Sequence, residues 1–171
     1  MATPLATAEI LAEVPGGADL VAWFGRVPSL HDAEVLSVHL DRAAESCIRI
    51  HTWQVTNSVN EKGYFILDKH VVVTFGLEKI SASKFEGFSG QNVISGFELV
   101  RHRSADDTSI DLWRNQFPPC LGDYGLILDG GNGMDGFVYA RKLTIMLTPG
   151  KPVSAASATP HYPPFRGQPR V

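Results

Sequence analysis

Residues 28–34 hold the densest set of side chains able to carry out acid–base chemistry. His31 can exchange a proton near neutral pH, and Asp32 and Glu34 are carboxylates that could orient it or bind a metal ion. Neighbouring side chains on an extended chain point to opposite faces, so His31 and Asp32 act together only if the chain turns here. We interpret the segment as a turn before a strand, in which Asp32 accepts backbone N–H groups. A small hydrolase or metal-dependent enzyme that uses these residues is the alternative.

A second candidate is a polar and aromatic strand face. Alternation places four of its side chains on two neighbouring predicted strands: His39, Arg49, His51 and Trp53. If residues 42–46 form a tight hairpin loop, His39 lies opposite Arg49, and Ser37 lies opposite His51. Such a face can bind an anionic ligand or a partner protein, or it can be the solvated side of an antiparallel sheet.

Residues 131–136 have the spacing G-x-G-x-x-G after a predicted strand, as in dinucleotide-binding loops. Such a loop must lead into a helix, because the helix N-terminus holds the pyrophosphate. Residues 137–141 are instead aromatic and β-prone, which favours a glycine-rich hairpin loop. Asp129, Asn132 and Asp135 leave a metal ion at this loop as an alternative, although the glutamate that completes a calcium loop is missing.

The sequence contains no motif typical of a catalytic nucleophile or a zinc site. Cys47 and Cys120 are far apart and neither belongs to a C-x-x-C pair, and G-x-S-x-G is absent. We expect both cysteines to be buried thiols in a reducing, cytoplasmic setting. His70 and His102 are isolated in the sequence and receive no functional role. No catalytic residue, metal or cofactor is predicted.

The elements that position these residues are mainly strands. Helical signals are confined to residues 7–14 and 19–24. From residue 33 onward, period-two patterns and turn residues predict seven or eight strands. The fold class is therefore mainly β (α+β), an antiparallel β-sandwich or partly open barrel with a short N-terminal helical segment. The predicted strands are residues 34–41, a strand from residue 48, and residues 64–75, 79–88, 92–101, 108–114, 124–129 and 137–147.

Length and composition limit the number of domains and the class of partner. The 171 residues suit one domain, 1–148, followed by a Pro-rich flexible tail, 149–171. No apolar run approaches the ~20 residues of a spanning helix. The net charge of −3 predicts no affinity for nucleic acid or anionic membranes. Lys151, Arg166 and Arg170 give the tail +3, which leaves 12 of the 15 Lys and Arg against 18 acidic residues, or −6, in the body.

Several short segments carry a resemblance to a known family. They are Trp23-Phe24-Gly25, residues 28–35, residues 87–94, Tyr124-Gly125 and Gly136-Phe137. In this order they resemble the immunity protein 50 family, small bacterial proteins assigned to neutralise toxins of polymorphic secretion systems. The chain departs from that pattern at Leu30, where an aromatic residue is expected, and in its Pro-rich tail. The resemblance implies a mainly β or α+β protein that acts by binding, without catalytic residues.

The predicted function is therefore binding of a cognate toxin protein without catalysis. An acidic body suits a basic partner, such as a nuclease whose surface is built for phosphates. Trp53, Trp113 and Tyr64 could anchor the partner if they are exposed, or they could belong to the core. A small-ligand carrier remains a further alternative, and it would require an apolar pocket of ~300 Å³ or more.

Overall fold

Two short helices precede the sheet, as the sequence predicts. The computed structural model describes residues 7–103, 119–130 and 133–152. Helix α1 spans Thr7–Glu13 and helix α2 spans Gly17–Phe24. Pro15 and Gly16 separate them, because proline cannot donate to a helix and Gly16 adopts a left-handed conformation at φ 83°.

The rest of the described chain forms one antiparallel sheet of six strands. The order across this sheet is β1-β2-β3-β6-β5-β4, and every pairing is antiparallel. The mainly β prediction is confirmed, whereas the seven or eight strands and the sandwich are not. The predicted strand at 108–114 lies outside the described residues. The strands are β1 (Glu34–His39), β2 (Ser46–Val59), β3 (Phe65–Glu86), β4 (Gly96–Arg101), β5 (Tyr124–Asp129) and β6 (Asp135–Pro149).

Strand β3 unites two predicted strands, 64–75 and 79–88, into 22 residues. The prediction of a break is wrong because Lys79 bends the chain without ending the strand. Its φ of 56° is left-handed, and the register with β6 shifts just beyond it. The β3–β6 ladder continues through this bulge, from Val71 opposite Pro149 to Glu86 opposite Asp135.

The predicted register of β1 and β2 is also wrong. His39 lies opposite Cys47 and Ser37 lies opposite Arg49, two residues away from the expected pairs. The loop spans residues 40–45 between the two strands, and the Asp41 carboxylate stabilises it by accepting the N–H groups of Ala43 and Ala44 at 2.7 and 2.9 Å. A bulge between Val35 and Ser37 then breaks the alternation and turns Val35 into the core.

The main core lies between the helices and one face of the sheet. Buried apolar residues of both helices pack with those of the strands, including Ile10, Leu20, Ile48, Phe75 and Val138. Residues 92–95 link the start of β1 to the end of β5. Ile94 donates to Ala33 near β1, and Ser95 donates to Asp129 at the end of β5, at 2.9 and 2.7 Å.

Gly16 allows the helices to dock directly on β6. A Cβ atom at this position would lie 1.8 Å from the carbonyl oxygen of Ile145, too close for any side chain. Next to it, Ile145 donates its N–H to the Pro15 carbonyl at 2.8 Å. The interhelical turn is therefore part of the core contact.

A pair of glycine variants tests this close approach. Gly16 and Gly25 both have positive φ, but a Cβ at Gly25 meets nothing within 4 Å. We expect Gly25→Ala to cost about 1 kcal/mol of unfolding free energy, from the left-handed backbone alone. Gly16→Ala should cost ~3 kcal/mol or more, because it adds the clash with Ile145. Equal losses in urea unfolding would contradict the proposed docking.

Candidate functional site

The hairpin of β2 and β3 extends beyond its neighbouring strands. Among the described residues, β1 pairs with β2 only over residues 47–51, and β6 pairs with β3 only from residue 71 onward. We call the projecting part, residues 54–69, the arm. Neither of its two outer edges carries a strand partner from the described part of the chain, although the Lys69 carbonyl at the base accepts the Trp23 indole N–H.

Internal hydrogen bonds give the arm a defined shape. Val55 lies opposite Leu67, and the Thr56 hydroxyl donates to the Ile66 carbonyl at 2.9 Å. At the tip, the Asn60 side chain accepts the N–H groups of Lys62 and Tyr64 at 2.9 and 3.1 Å. The arm is therefore a two-stranded ribbon closed by a side-chain-stabilised turn.

Large apolar side chains cover this ribbon. Six of them are between 40% and 69% exposed: Val55, Val59, Tyr64, Phe65, Ile66 and Leu67. Single exposed apolar residues are ordinary, but six on one projecting element are typical of an interaction surface. The sequence analysis identified only Tyr64 here. The run of four apolar residues directly after a turn was the signal that could have found the rest.

A cluster of three rings lies at the base of the arm. His51 Nε2 and His70 Nδ1 are 3.1 Å apart, at hydrogen-bonding distance, and their rings are nearly parallel, at 18°. The Trp53 ring lies 5.1 Å from that of His51 and 6.0 Å from that of His70. His51 and Trp53 were both predicted as binding candidates. The sequence analysis missed His70, because its partner is 19 residues away along the chain.

Two further contacts fix this base to the body. The Trp23 indole of α2 donates to the Lys69 carbonyl at 3.0 Å. The Gly150 N–H, just after β6, donates to the His70 carbonyl at 2.7 Å. The arm is thus attached at its base to a helix and to the end of β6.

The environment of the histidine pair favours its neutral form. Burial lowers the pKa of His51, and the nearby His70 and Lys151 lower it further. Burial and Lys151 also lower the pKa of His70, against the opposing effect of Asp68. A hydrogen bond between two imidazoles requires one unprotonated acceptor nitrogen, so a neutral pair suits the geometry.

The turn before β1 brings His31 and Asp32 together. Their side chains are 3.0 Å apart, from Nδ1 to Oδ2, and 60% and 67% exposed. The backbone is left-handed at Leu30 and Asp32, at φ 53° and 65°, so neighbouring side chains can meet here. The Asp32 carboxylate contacts His31, in place of the predicted backbone caps. Glu34 lies at the start of β1, opposite His51.

Two cavities lie near candidate residues, and polar groups contribute to the lining of both. A cavity of about 360 Å³ is lined by Asp32, Gln91 and Ser95, with Val93, Ile94 and two glycines. A second, of about 440 Å³, is lined chiefly by charged side chains, among them Arg42, Glu78 and Lys142. The charged lining of the larger of the two differs from the apolar pocket expected of a carrier, whereas the smaller one exposes more apolar than polar surface.

The remaining residues that were predicted as binding or metal sites lie in separate parts of the fold. His39 and Arg49 are exposed on β1 and β2. In the glycine-rich loop, the Asp135 carboxylate accepts the Gly130 N–H at 2.6 Å, and Asn132 lies outside the described residues. Within residues 7–103, 119–130 and 133–152, no group of three or more His, Cys, Asp or Glu could hold a metal ion.

The sequence analysis also made predictions about the burial or exposure of the cysteines and tryptophans. Both cysteines are free thiols, but Cys120 is exposed and Cys47 is only half-buried, so the prediction of two buried thiols is wrong. Cys120 lies in the turn before β5, where its N–H binds the Asp123 carboxylate at 3.0 Å. Trp53 is half-buried, and Trp113 lies outside the described residues.

No protein-family model, curated protein or solved structure matches the chain. The resemblance to the immunity protein 50 family stays a prediction. No helix in the described ranges has the length and apolar character needed to cross a membrane.

The lowered pKa values of His51 and His70 predict that the stability of the protein depends on pH. Both pKa values are lowered in the folded protein, so the unfolded chain binds more protons as the pH falls below about 6.5. The free energy of unfolding should therefore decrease from pH 7 to pH 5. We expect a shallower decrease in the double variant His51→Gln/His70→Gln, measured by urea unfolding. Identical profiles for the wild type and the double variant would contradict the assignment.

Substitutions at Asp32 separate a structural from a catalytic role. Asp32→Ala should lower the unfolding free energy by about 1 kcal/mol, because alanine tolerates a left-handed backbone poorly. Asp32→Gly should stay close to the wild type, because glycine adopts this conformation without strain. A stable Asp32→Gly protein that loses a measurable hydrolytic activity would instead assign Asp32 to catalysis.

Proposed function

We propose that the protein is a non-catalytic binding protein and that the arm is its partner-binding surface. The observation that carries this proposal is the group of six exposed apolar side chains on the projecting ribbon. Apolar and aromatic side chains supply most of the energy of protein–protein contacts when a partner covers them. The open strand edges add backbone groups that can pair with a partner strand.

The resemblance to the immunity protein 50 family suggests the class of partner. We propose that this partner is a bacterial toxin, which the protein neutralises in the cytoplasm by direct contact. The body of the chain carries a net charge of −6, which would attract a basic toxin and speed its association. The exposed aromatic residues Tyr64 and Phe65 are the anchors that we expect at the centre of the contact.

One observation favours a second function, that of a small hydrolase. His31 Nδ1 lies 3.0 Å from the Asp32 carboxylate, and Asp32 lines a cavity of about 360 Å³. A histidine oriented by a carboxylate can act as a general base through its other nitrogen. Water screens both side chains, however, since each is more than half exposed. The arm therefore carries the main proposal.

We expect a toxin gene beside the gene for this protein, and co-expression of the two tests the main proposal. The wild-type protein should restore growth and co-purify with the toxin. Phe65→Ser and Leu67→Ser should each raise the dissociation constant about tenfold or more, because each removes an apolar contact of the arm. The binding constants can be measured by titration calorimetry.

Met146→Ser is the matched control. Met146 is an exposed apolar residue on β6, outside the arm, with 63% of its surface accessible. Its substitution should leave toxin binding unchanged. The proposal fails if the arm variants neutralise the toxin as well as the wild type does, or if Met146→Ser has the same effect as the arm variants.

A further inference from the structure

We propose that His51 and His70 form a pH-sensitive switch at the base of the arm. While at most one of the two rings is protonated, the hydrogen bond between them holds the base closed. When both rings are protonated, they separate and the arm becomes mobile relative to the sheet, which stays folded. This inference goes beyond the proposed function and does not rest on it, because it concerns the movement of the arm in the protein alone.

The two rings meet edge to edge and share one proton. His51 Nε2 and His70 Nδ1 are 3.1 Å apart, the ring planes differ by 18° and the ring centroids are 5.3 Å apart. The centroids reach this separation only when both nitrogens lie nearly on the line between them, so each nitrogen points at the other. One of the two facing nitrogens therefore carries a proton, and the other accepts the hydrogen bond.

The number of bound protons decides whether this hydrogen bond exists. One additional proton can bind to the outward-facing nitrogen of the donor ring, and the hydrogen bond then remains with a charged donor. A second additional proton must bind to the facing nitrogen of the other ring, which removes the acceptor. Two positively charged rings would then face each other at the same 3.1 Å contact and repel. Double protonation therefore breaks this contact between β2 and β3.

The charged groups around the pair do not compensate for two protonated rings. Burial lowers the pKa of both rings, Lys151 just after β6 lowers it further, and Asp68 on β3 raises that of His70. Glu34 of β1 lies opposite the β2 histidine, and Arg49 lies two residues before that histidine on the same strand face. These two cations and two carboxylates balance, so they leave no excess negative charge to stabilise two imidazolium rings.

The chain is bent where the arm joins the sheet. Lys69 has a left-handed backbone at φ 49°, and the register with β2 shifts beside it. Such a conformation is strained in a lysine and persists because surrounding contacts hold it. Three of these contacts are the Trp23 indole on the Lys69 carbonyl, the Gly150 N–H on the His70 carbonyl, and the histidine pair. Of the three, only the pair links β3 to β2, so its loss frees the two strands of the arm at their base.

NMR spectroscopy between pH 7.5 and pH 5 tests this switch. The ring signals of His51 and His70 should show two protonation steps, the second below about pH 6.5. At the second step the indole signal of Trp53 should shift, because its ring lies 5.1 and 6.0 Å from the two histidine rings. The amide order parameters of residues 55–67 should fall with the same midpoint, from about 0.85 to about 0.6 or less. Those of β5 should not change.

Two single variants and one control identify the groups responsible. His51→Gln and His70→Gln each leave one titratable ring, to which glutamine can still hydrogen-bond, so the arm should stay ordered at pH 5. His102→Gln removes a histidine just after β4, outside the arm, and should keep the wild-type transition. Circular dichroism verifies that each variant is folded.

Three results would overturn the proposal. The arm could stay equally ordered while both wild-type rings are protonated, β5 could lose order together with the arm, or the glutamine variants could keep the transition. No toxin is present in these measurements, so their failure is distinct from a failure of the proposed function.

Discussion

The pairing of β3 with its two neighbours is the interaction on which the rest of the structure depends. β3 is the longest strand, and it pairs with β6 from Val71 to Glu86 and with β2 from Phe65 to Leu77. The core side of this ladder packs against both helices, and Gly16 permits their direct contact with Ile145. Because β3 and β2 run past β6 and β1, the same ladder that builds the core also produces the projecting arm.

The arm combines features that a monomer does not need for folding. Its apolar side chains are exposed, its edges are open, and its base is fixed by His70, Trp23 and Gly150. Because hydrogen bonds hold the base of the arm in place, binding of a partner to the arm should cost little conformational entropy.

The sequence predicts the helices, the antiparallel strands and the hairpin around the glycine-rich loop, because these depend on local patterns. Residues 124–129 are an example, since β5 has the predicted bounds. Local patterns in the sequence do not predict features that depend on distant residues or on left-handed backbone conformations. The contact of His51 with His70 follows from the β2–β3 register, and the meeting of His31 with Asp32 follows from two left-handed residues. The exposure of Phe65 and Leu67 depends on where β1 and β6 end, which alternation alone does not reveal.

Amide hydrogen exchange tests the central claim, that the arm is a folded interaction surface, most directly. We expect the amides of residues 65–69 to exchange faster than those of the core in the free protein and to slow by a large factor when a binding partner covers the arm. The amides of Val72 to Leu77, held between β2 and β6, should stay slow throughout. Exchange in the arm that is equally fast under all these conditions would contradict the account.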